Sequence, residues 1–293
     1  MQAVAVVLSW NGRDDTLACL ESLRGIETIC VDNGSTDGSA DAVAERFPEV
    51  ELIRTGVNLG FAAGNNVGIR RALERGADWV LLLNNDAIAD PGFADALAAA
   101  AQRHPQAGVL ACKVFVLEQP EVLWYAGGSF NPLLGYSGHV RGAGQRDSGG
   151  FDEEVEVDWA TGAALVVSRR ALEQAGLLDE ELFAYVEDVD WCLRIREAGL
   201  RVVFVPSLRA WHRVSASTGG PASPTSLRYH CRNTLAVSER HRPLPRGATG
   251  ARRAVVVGTH LLQALRRPAR TRAAWAVVRG WRDYRRGRMG RLA

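Results

Sequence analysis

Through the first half of the chain, short apolar runs alternate with longer stretches of helical periodicity. That is the pattern of a parallel sheet covered by helices. Residues 4–8 are apolar without alternation, which predicts a first strand buried on both faces. Leu17, Leu20 and Leu23 recur every third position, so 14–24 is predicted as a helix. Residues 28–31 form the second predicted strand, and the turn Asp32 to Gly38 carries Ser, Thr and Asp caps that open a helix over 39–47. A third strand is predicted at 50–54, a helix at 63–75, a fourth strand at 79–83 and a helix at 91–101.

In open α/β sheets, ligands bind beyond the carboxyl ends of the strands. Three polar clusters fall there: Ser9-Trp10-Asn11, Asp32-Asn33-Gly34-Ser35 and Asn84-Asn85-Asp86. Polar residues follow most strands, so each cluster alone says little, but three on one edge predict a site.

The pattern changes after residue 114. Residues 114–156 are Gly-rich with strand-like runs at 114–117 and 121–125, which predicts extra β-structure beside the main sheet. A buried strand at 163–167, a helix at 169–175, a helix running from the acidic cluster 187–190 to Ala198, and a strand at 201–205 follow. Residues 215–226, rich in Ser, Thr, Gly and Pro, are predicted as a lid-like loop. Helices are predicted at 249–267 and 269–286, broken at Pro268. The organisation expected is therefore a domain over 1–240 and a basic helical extension over 241–293.

The 293 residues carry a net charge of only +2, which hides an asymmetry. From Arg240 onward there are fifteen arginines and one acid, Asp283, so this tail is +14 and the preceding body −12. An acidic body argues against nucleic acid as a partner. Trp275, Val278 and Trp281 with flanking arginines suit an anionic membrane surface, against a cover for the body or a dimer contact. The five cysteines are widely spaced with no CxxC pair, which predicts reduced core thiols and a cytoplasmic protein. The N-terminus enters an apolar strand without a basic region or cleavage motif, and the apolar run at 254–265 is too short to span a bilayer. Neither a signal peptide nor a membrane span is expected, and the oligomeric state is not encoded in any pattern.

Asp86 closes the fourth strand beside two amides. A hard divalent cation takes few protein oxygens and completes its shell with phosphate and water, so one such carboxylate facing a diphosphate suffices. Glu187, Asp188 and Asp190 lie between aromatic and apolar neighbours, where a carboxyl can keep a raised pKa and act as a base. Asp190 pairs with Arg194 at i,i+4 and is read as structural, Asp188 as chemical. His212, following a strand, reads by chemistry alone as a structural hydrogen-bonder. Arg228, Arg232 and Asn233 follow the loop and could clamp phosphate or be solvated.

Six motifs then carry a resemblance: VDNGSTDGS (31–39), NLGFAAGNN (58–66), LLNND (82–86), TGAALVVSRRAL (161–172), FAYVEDVDWCLR (183–194) and WHRVSASTG (211–219). In this order they resemble the inverting family 2 glycosyltransferases, and within them the rhamnosyltransferase-like branch, over about residues 3–240. The resemblance implies a GT-A fold, mostly parallel with helices on both faces, and a divalent cation, Mg²⁺ or Mn²⁺. It implies a nucleotide-sugar donor (dTDP-, UDP- or GDP-linked) and a glycan or lipid-linked acceptor in cell-surface polysaccharide synthesis. Asp32 matches the carboxylate that contacts the nucleobase, in a crevice with Ser9 and Asn11. Asn58, Gly60, Asn65, Asn84, Asn85 and Arg232 complete the donor side that it implies. Asp86 matches the metal-binding acid, His212 a second metal ligand and Asp188 the catalytic base, with Thr161, Gly162 and Glu187 on the acceptor side. Asn84 stands where the motif's first acid would be, which leaves Asp86 as its only carboxylate. A nucleotidyltransferase would need a Gly-rich basic loop after the first strand, and a dehydrogenase a GxGxxG there. Ser9 to Arg13 has neither. A non-catalytic sugar-binding protein remains the other alternative.

Overall fold

The computed structural model describes residues 1–131, 136–213, 223–267 and 269–292. Most of the lid-like loop expected at 215–226, and the break at Pro268, lie outside the described residues. In chain order the elements begin with β1 (Ala3–Ser9), α1 (Arg13–Ser22), β2 (Glu27–Asp32), α2 (Ser39–Arg46), β3 (Glu51–Arg54), α3 (Phe61–Glu74), β4 (Trp79–Asn84), β5 (Ala87–Ala89) and α4 (Phe93–Arg103). Then come β6 (Ala107–Val116), β7 (Gln119–Tyr125), β8 (Gly128–Asn131), β9 (Tyr136–Val140), β10 (Val155–Glu156), β11 (Ala164–Ser168), α5 (Arg169–Ala175), α6 (Glu187–Glu197) and β12 (Arg201–His212). Three helices close the chain: α7 (Pro224–His241), α8 (Arg246–Leu265) and α9 (Arg270–Arg285).

The main sheet runs β10-β12-β6-β11-β4-β1-β2-β3, with β5 on β12 and β7 on β6. Its β3-β2-β1-β4 half is parallel. Antiparallel β11 joins that half to β6, which pairs in parallel with β12. The expected mostly parallel sheet is present. Val4 to Val7, Ile29 to Val31 and Val80 to Leu83 are buried, so the strands without alternation are covered on both faces.

Three elements escape the hydrophobic pattern. β6 begins seven residues before the run expected at 114, because its first half, Ala107-Gly108-Val109-Leu110-Ala111, is built of small residues packed at close range. A Cβ on Gly108 would lie 2.5 Å from Ile195 Cγ2. β5 is only three residues long. α7 follows a stretch read as loop, and its buried face is largely polar: Ser226, Arg232, Asn233, Thr234, Ser238 and His241.

α7, α8 and α9 share a small core of Leu227, Cys231, Leu235, Val256, Ala264, Ala273, Ala276 and Val277, separate from the core under the sheet. α7 belongs to both, since Val237 joins the main core. A Cβ on Gly280 would sit 2.3 Å from the Arg228 carbonyl, so only glycine lets α9 approach α7 this closely. All five cysteines are buried and free. Among the described residues no helix is long and apolar enough to cross a membrane.

Candidate functional site

The sheet register brings the three polar clusters together. Ser9 pairs with Asp32 across β1 and β2, and Leu8 with Asn84 across β1 and β4, so all three strands end at one level. Side chains then tie the clusters into one edge. The Asn11 amide donates to Ser35 Oγ at 2.8 Å, and Thr36 N donates to Asn11 Oδ1 at 2.9 Å. Asn85 Nδ2 donates to the Asn11 carbonyl at 3.1 Å and to Thr16 Oγ1 at 2.9 Å, while Ser9 Oγ lies 3.0 Å from Thr16 Oγ1. Asn11 adopts φ 59 to make this turn.

Asp32 is buried, with Oδ1 accepting from the Ser35 amide at 3.3 Å. Opposite it stands the loop before α3, which Asn33 builds. Asn33 Nδ2 donates to the Gly60 carbonyl and to Asn58 Oδ1, and Asn33 Oδ1 accepts from Leu59 N at 2.9 Å. Gly60 has φ 91, and a Cβ there would meet Phe183 Cδ2 at 2.5 Å. Asn58 therefore shapes this loop with its own side chain, and Asn65 turns inward to donate to the Phe61 carbonyl of its own helix. Neither offers that hydrogen bond to the crevice.

Asp86 and His212 are neighbours because β5 pairs with the end of β12, setting Ala87 opposite His212. His212 Nε2 lies 3.0 Å from Asp86 Oδ1 and 3.4 Å from Asn84 Nδ2, and the ring packs against Trp124. The other ring nitrogen, Nδ1, is buried with no hydrogen-bond partner. A carboxylate and an imidazole side by side, with an orphaned ring nitrogen, fit a divalent cation of the Mn²⁺ or Mg²⁺ kind. Among the described residues no cluster of three or more His, Cys, Asp or Glu is available to hold a metal ion. Two protein donors leave the rest of a coordination shell to phosphate and water.

The acidic segment opens α6, whose first turn holds Glu187, Asp188 and Asp190. Gly162 N donates to Asp188 Oδ2 at 2.8 Å and Val189 N to Oδ1 at 2.8 Å. The 161–163 turn is in turn joined to the end of β4, since the Asn84 amide donates to the Ala163 carbonyl at 3.0 Å. Within that turn Thr161 Oγ1 accepts from Ala163 N. Asp188 thus stands beside the β4 terminus that carries Asp86. Burial raises the Asp188 carboxyl above the ordinary range against the pull of the Gly162 and Val189 amides. Burial and the Asp188 charge push Glu187 well up too, and Glu187 Oε2 is buried without a partner. Asp190 faces away, into Arg194, Arg240 and His241.

One expected donor ligand is corrected. Arg232 is fully buried, and its guanidinium donates to the carbonyls of Glu181, Leu182, Arg288 and Gly290 and to Asn233 Oδ1. It is a crosslink between the chain's end and the turn before α6, because those carbonyls use the donors a phosphate would need. Asn233, read with it, donates from Nδ2 to Leu182, Ala184 and Tyr185. The sequence also gave no sign that Phe183, Tyr185 and Val186 adopt φ of 63, 70 and 72. Bulky residues rarely do so, and side-chain patterning is blind to it.

Comparison with known proteins bears on the family and the fold. Residues 4–147 match Glycosyl transferase family 2, and residues 79–266 match Glycosyl transferase family group 2. The chain is 32% identical over 246 residues to the N-acetylglucosaminyl-diphospho-decaprenol L-rhamnosyltransferase of Mycobacterium tuberculosis, covering 76% of this chain and 78% of that one. It is 27% identical to the dTDP-rhamnosyl transferase RfbF of Shigella flexneri, covering 82% and 81%. Among solved structures, a mannosyltransferase from Pyrobaculum calidifontis, in complex with GDP-Man and Mn²⁺, superposes with a TM-score of 0.57 at 18% identity. It covers 99% of this chain and 76% of that one. S. aureus TarS in complex with UDP gives 0.59 at 17%, covering 96% and 81%. These likenesses assign the fold to the GT-A type.

Proposed function

We propose that this chain, which belongs to glycosyl transferase family 2, moves rhamnose from a dTDP-linked donor to a hydroxyl of a lipid-linked glycan acceptor, with inversion. The enzyme class follows from the family; the sugar and acceptor rest on what the two rhamnosyltransferase relatives act on. The observation that carries the site assignment is the convergence on one sheet edge of Asp32, the Asp86–His212 pair at 3.0 Å and Asp188.

In this reading Asp32 meets the nucleobase, in the crevice closed by Ser9, Asn11, Gly60 and the asparagines that shape its walls. Asp86 and His212 would hold a divalent cation, which supplies positive charge against the leaving diphosphate. Asp188 takes the proton from the acceptor hydroxyl as that oxygen attacks the anomeric carbon, in line with and opposite to the departing nucleotide. One displacement inverts the centre, so no covalent intermediate and no second carboxylate are needed. Thr161, Gly162 and Glu187 form the acceptor side. Residues 1–240 carry this chemistry, and the basic helices of 241–293 hold the protein at the cytoplasmic face of the membrane that carries such an acceptor.

A thermal-shift screen of dTDP-, UDP- and GDP-sugars, with and without Mn²⁺, tests the donor. A ligand at 100 times its dissociation constant adds about 2.7 kcal/mol of stability, well within detection. The reading predicts stabilisation by dTDP-rhamnose that grows with Mn²⁺ and is followed by dTDP release when acceptor is added. Stabilisation by another nucleotide sugar alone would replace the donor. Stabilisation without turnover on any acceptor would favour a sugar-binding protein.

A further inference from the structure

The groove between the first turns of α7 and the outer face of α9 has no part in the chemistry above. It measures about 550 Å³, and Arg228, Arg272, Arg279, Arg282 and Trp275 line it. The α9 residues recur at 272, 275, 279 and 282, so they form one stripe of that helix. The tail's single acid, Asp283, is buried and offsets only Arg228, whose Nε it meets at 2.7 Å. Arg272, Arg279 and Arg282 make no ion pair among the described residues, and Arg282 lies over the Trp275 ring at 5.9 Å.

Large apolar side chains are also exposed on α9 and on α8, which packs against it. Trp275 is 55% exposed, and on α8 Leu262 is 61% and Leu265 55% exposed. Helices that show solvent both unpaired guanidiniums and large apolar side chains match a surface with phosphate outside and hydrocarbon beneath. A guanidinium grips phosphate oxygens bidentately, and an indole ring settles at headgroup level. A nucleic-acid backbone would use the arginines but leave Leu262 and Leu265 in water. A second copy's acidic body would do the same.

We propose that this groove docks the phosphate headgroups of anionic membrane lipids, a proposal that rests on the membrane-side reading of the tail and identifies its contact surface. The groove is tied to the site by one step along α7. Arg228 lines the groove, and the adjacent Tyr229 stacks on Phe183 at 5.4 Å. The Phe183 carbonyl accepts from the Phe61 and Ala62 amides at the start of α3, beside Gly60. Docking therefore holds the donor loop at a fixed setting relative to the lipid surface. It also overcomes the repulsion that a −12 body would otherwise meet there.

The test is sedimentation of the full-length protein with vesicles of phosphatidylglycerol and phosphatidylcholine, against pure phosphatidylcholine, at low salt. Wild type should sediment with the anionic vesicles only. Arg272→Gln with Arg279→Gln should weaken this about tenfold or more, and Trp275→Ser several-fold. Arg24→Gln with Arg46→Gln, exposed on the body, should leave it unchanged. Each protein's donor-induced thermal shift is read in parallel, since these side chains lie outside the site. Equal binding to pure phosphatidylcholine, no binding by wild type, or full binding by the Arg272/Arg279 variant overturns the proposal. Vesicle binding lost in that variant, in a chain that no nucleotide sugar stabilises, would support the groove while the donor assignment fails.

Discussion

Asp188 and Asp190 lie one helical half-turn apart, yet their surroundings assign them opposite work, and amide substitution of each should separate the two. Asp190 is fully buried and meets Arg194 Nε at 2.8 Å, Arg240 Nη1 at 2.8 Å and His241 Nε2 at 2.9 Å. Burial alone would raise its carboxyl. The His241 hydrogen bond and the two arginine charges outweigh that and bring it from 3.8 down to about 2. A native carboxyl below its unfolded value couples about 2 kcal/mol of stability to ionisation. That contribution is complete above about pH 4 and is lost as the pH falls from there through about 2. Asp190→Asn removes the charge at every pH and leaves two guanidiniums and the His241 imidazole facing an amide. Removing one partner of a buried pair costs about 3–5 kcal/mol. Arg240 keeps Asp179 and His241 keeps Glu197, so the lower end, about 3 kcal/mol, is expected. Asp188→Asn should cost less, about 1 kcal/mol, because a carboxyl raised by burial is replaced by a neutral group whose single oxygen keeps one of the Gly162 and Val189 hydrogen bonds and gives up the other. It should lose about 10²-fold or more in turnover, the scale for a general base. Urea unfolding at pH 7 and release of nucleoside diphosphate measure the two effects. If Asp190→Asn is stable but inactive, or Asp188→Asn unfolds, the assignment is wrong by two positions.

Other consequences follow from the same geometry. Asp86→Ala should abolish both turnover and the part of donor binding that depends on Mn²⁺, measured by titration calorimetry; a normal rate in EDTA-treated wild type would remove the cation from the reaction. Turnover should rise with pH through an apparent value above the ordinary carboxyl range, since burial raises Asp188 and it must be ionised. Glu187 is raised by burial and by the Asp188 charge, so it stays neutral as Asp188 ionises; Glu187→Gln should leave that limb in place, and a limb moved to lower pH would refute this order. Asn233→Ala should cost about 2 kcal/mol in urea unfolding by taking its donor from the Ala184 and Tyr185 carbonyls and its acceptor from Arg232 Nε, with kcat falling more than donor affinity. Equal loss of both, or neither, would deny it a positioning role.

How legible the molecule was depended on which interactions write themselves into side-chain pattern. The buried strands and the three polar clusters at their ends were readable because full burial enforces continuous apolar runs and a strand must stop where polar residues begin. The meeting of Asp86 with His212 was readable only through resemblance. It depends on β5, three residues that no periodicity can mark, pairing with a β12 that continues seven residues past the expected end at 205. α7 was hidden for a different reason. Its inward face is polar because it serves carbonyls of a neighbouring turn, so hydrophobic spacing fails where burial is compensated by hydrogen bonds. Arg232 read as a phosphate clamp or a solvated cation for the same reason.

That turn explains why the C-terminal helices bear on the site. Phe183, Tyr185 and Val186 each sit in the left-handed region, at about 1–3 kcal/mol apiece. Such a conformation persists only where its surroundings hold it. Here Asn233 binds the carbonyls of Leu182, Ala184 and Tyr185, Arg232 those of Glu181 and Leu182, and α3 draws the Phe183 carbonyl to its first amides. The result is a kink that ends at Val186 and starts α6, setting Asp188 against Gly162. Arg232 completes its shell with the carbonyls of Arg288 and Gly290, and the Gly290 amide returns to the Glu181 carbonyl. Cutting the chain after Arg242 would therefore strip two acceptors from a buried guanidinium and expose Leu227, Cys231 and Leu235. Such a truncation should lower stability and donor binding together, so loss of vesicle binding in it would say nothing about lipid. Only point changes on the outer face of α9, where no hydrogen bond to the turn is at stake, can separate attachment from catalysis.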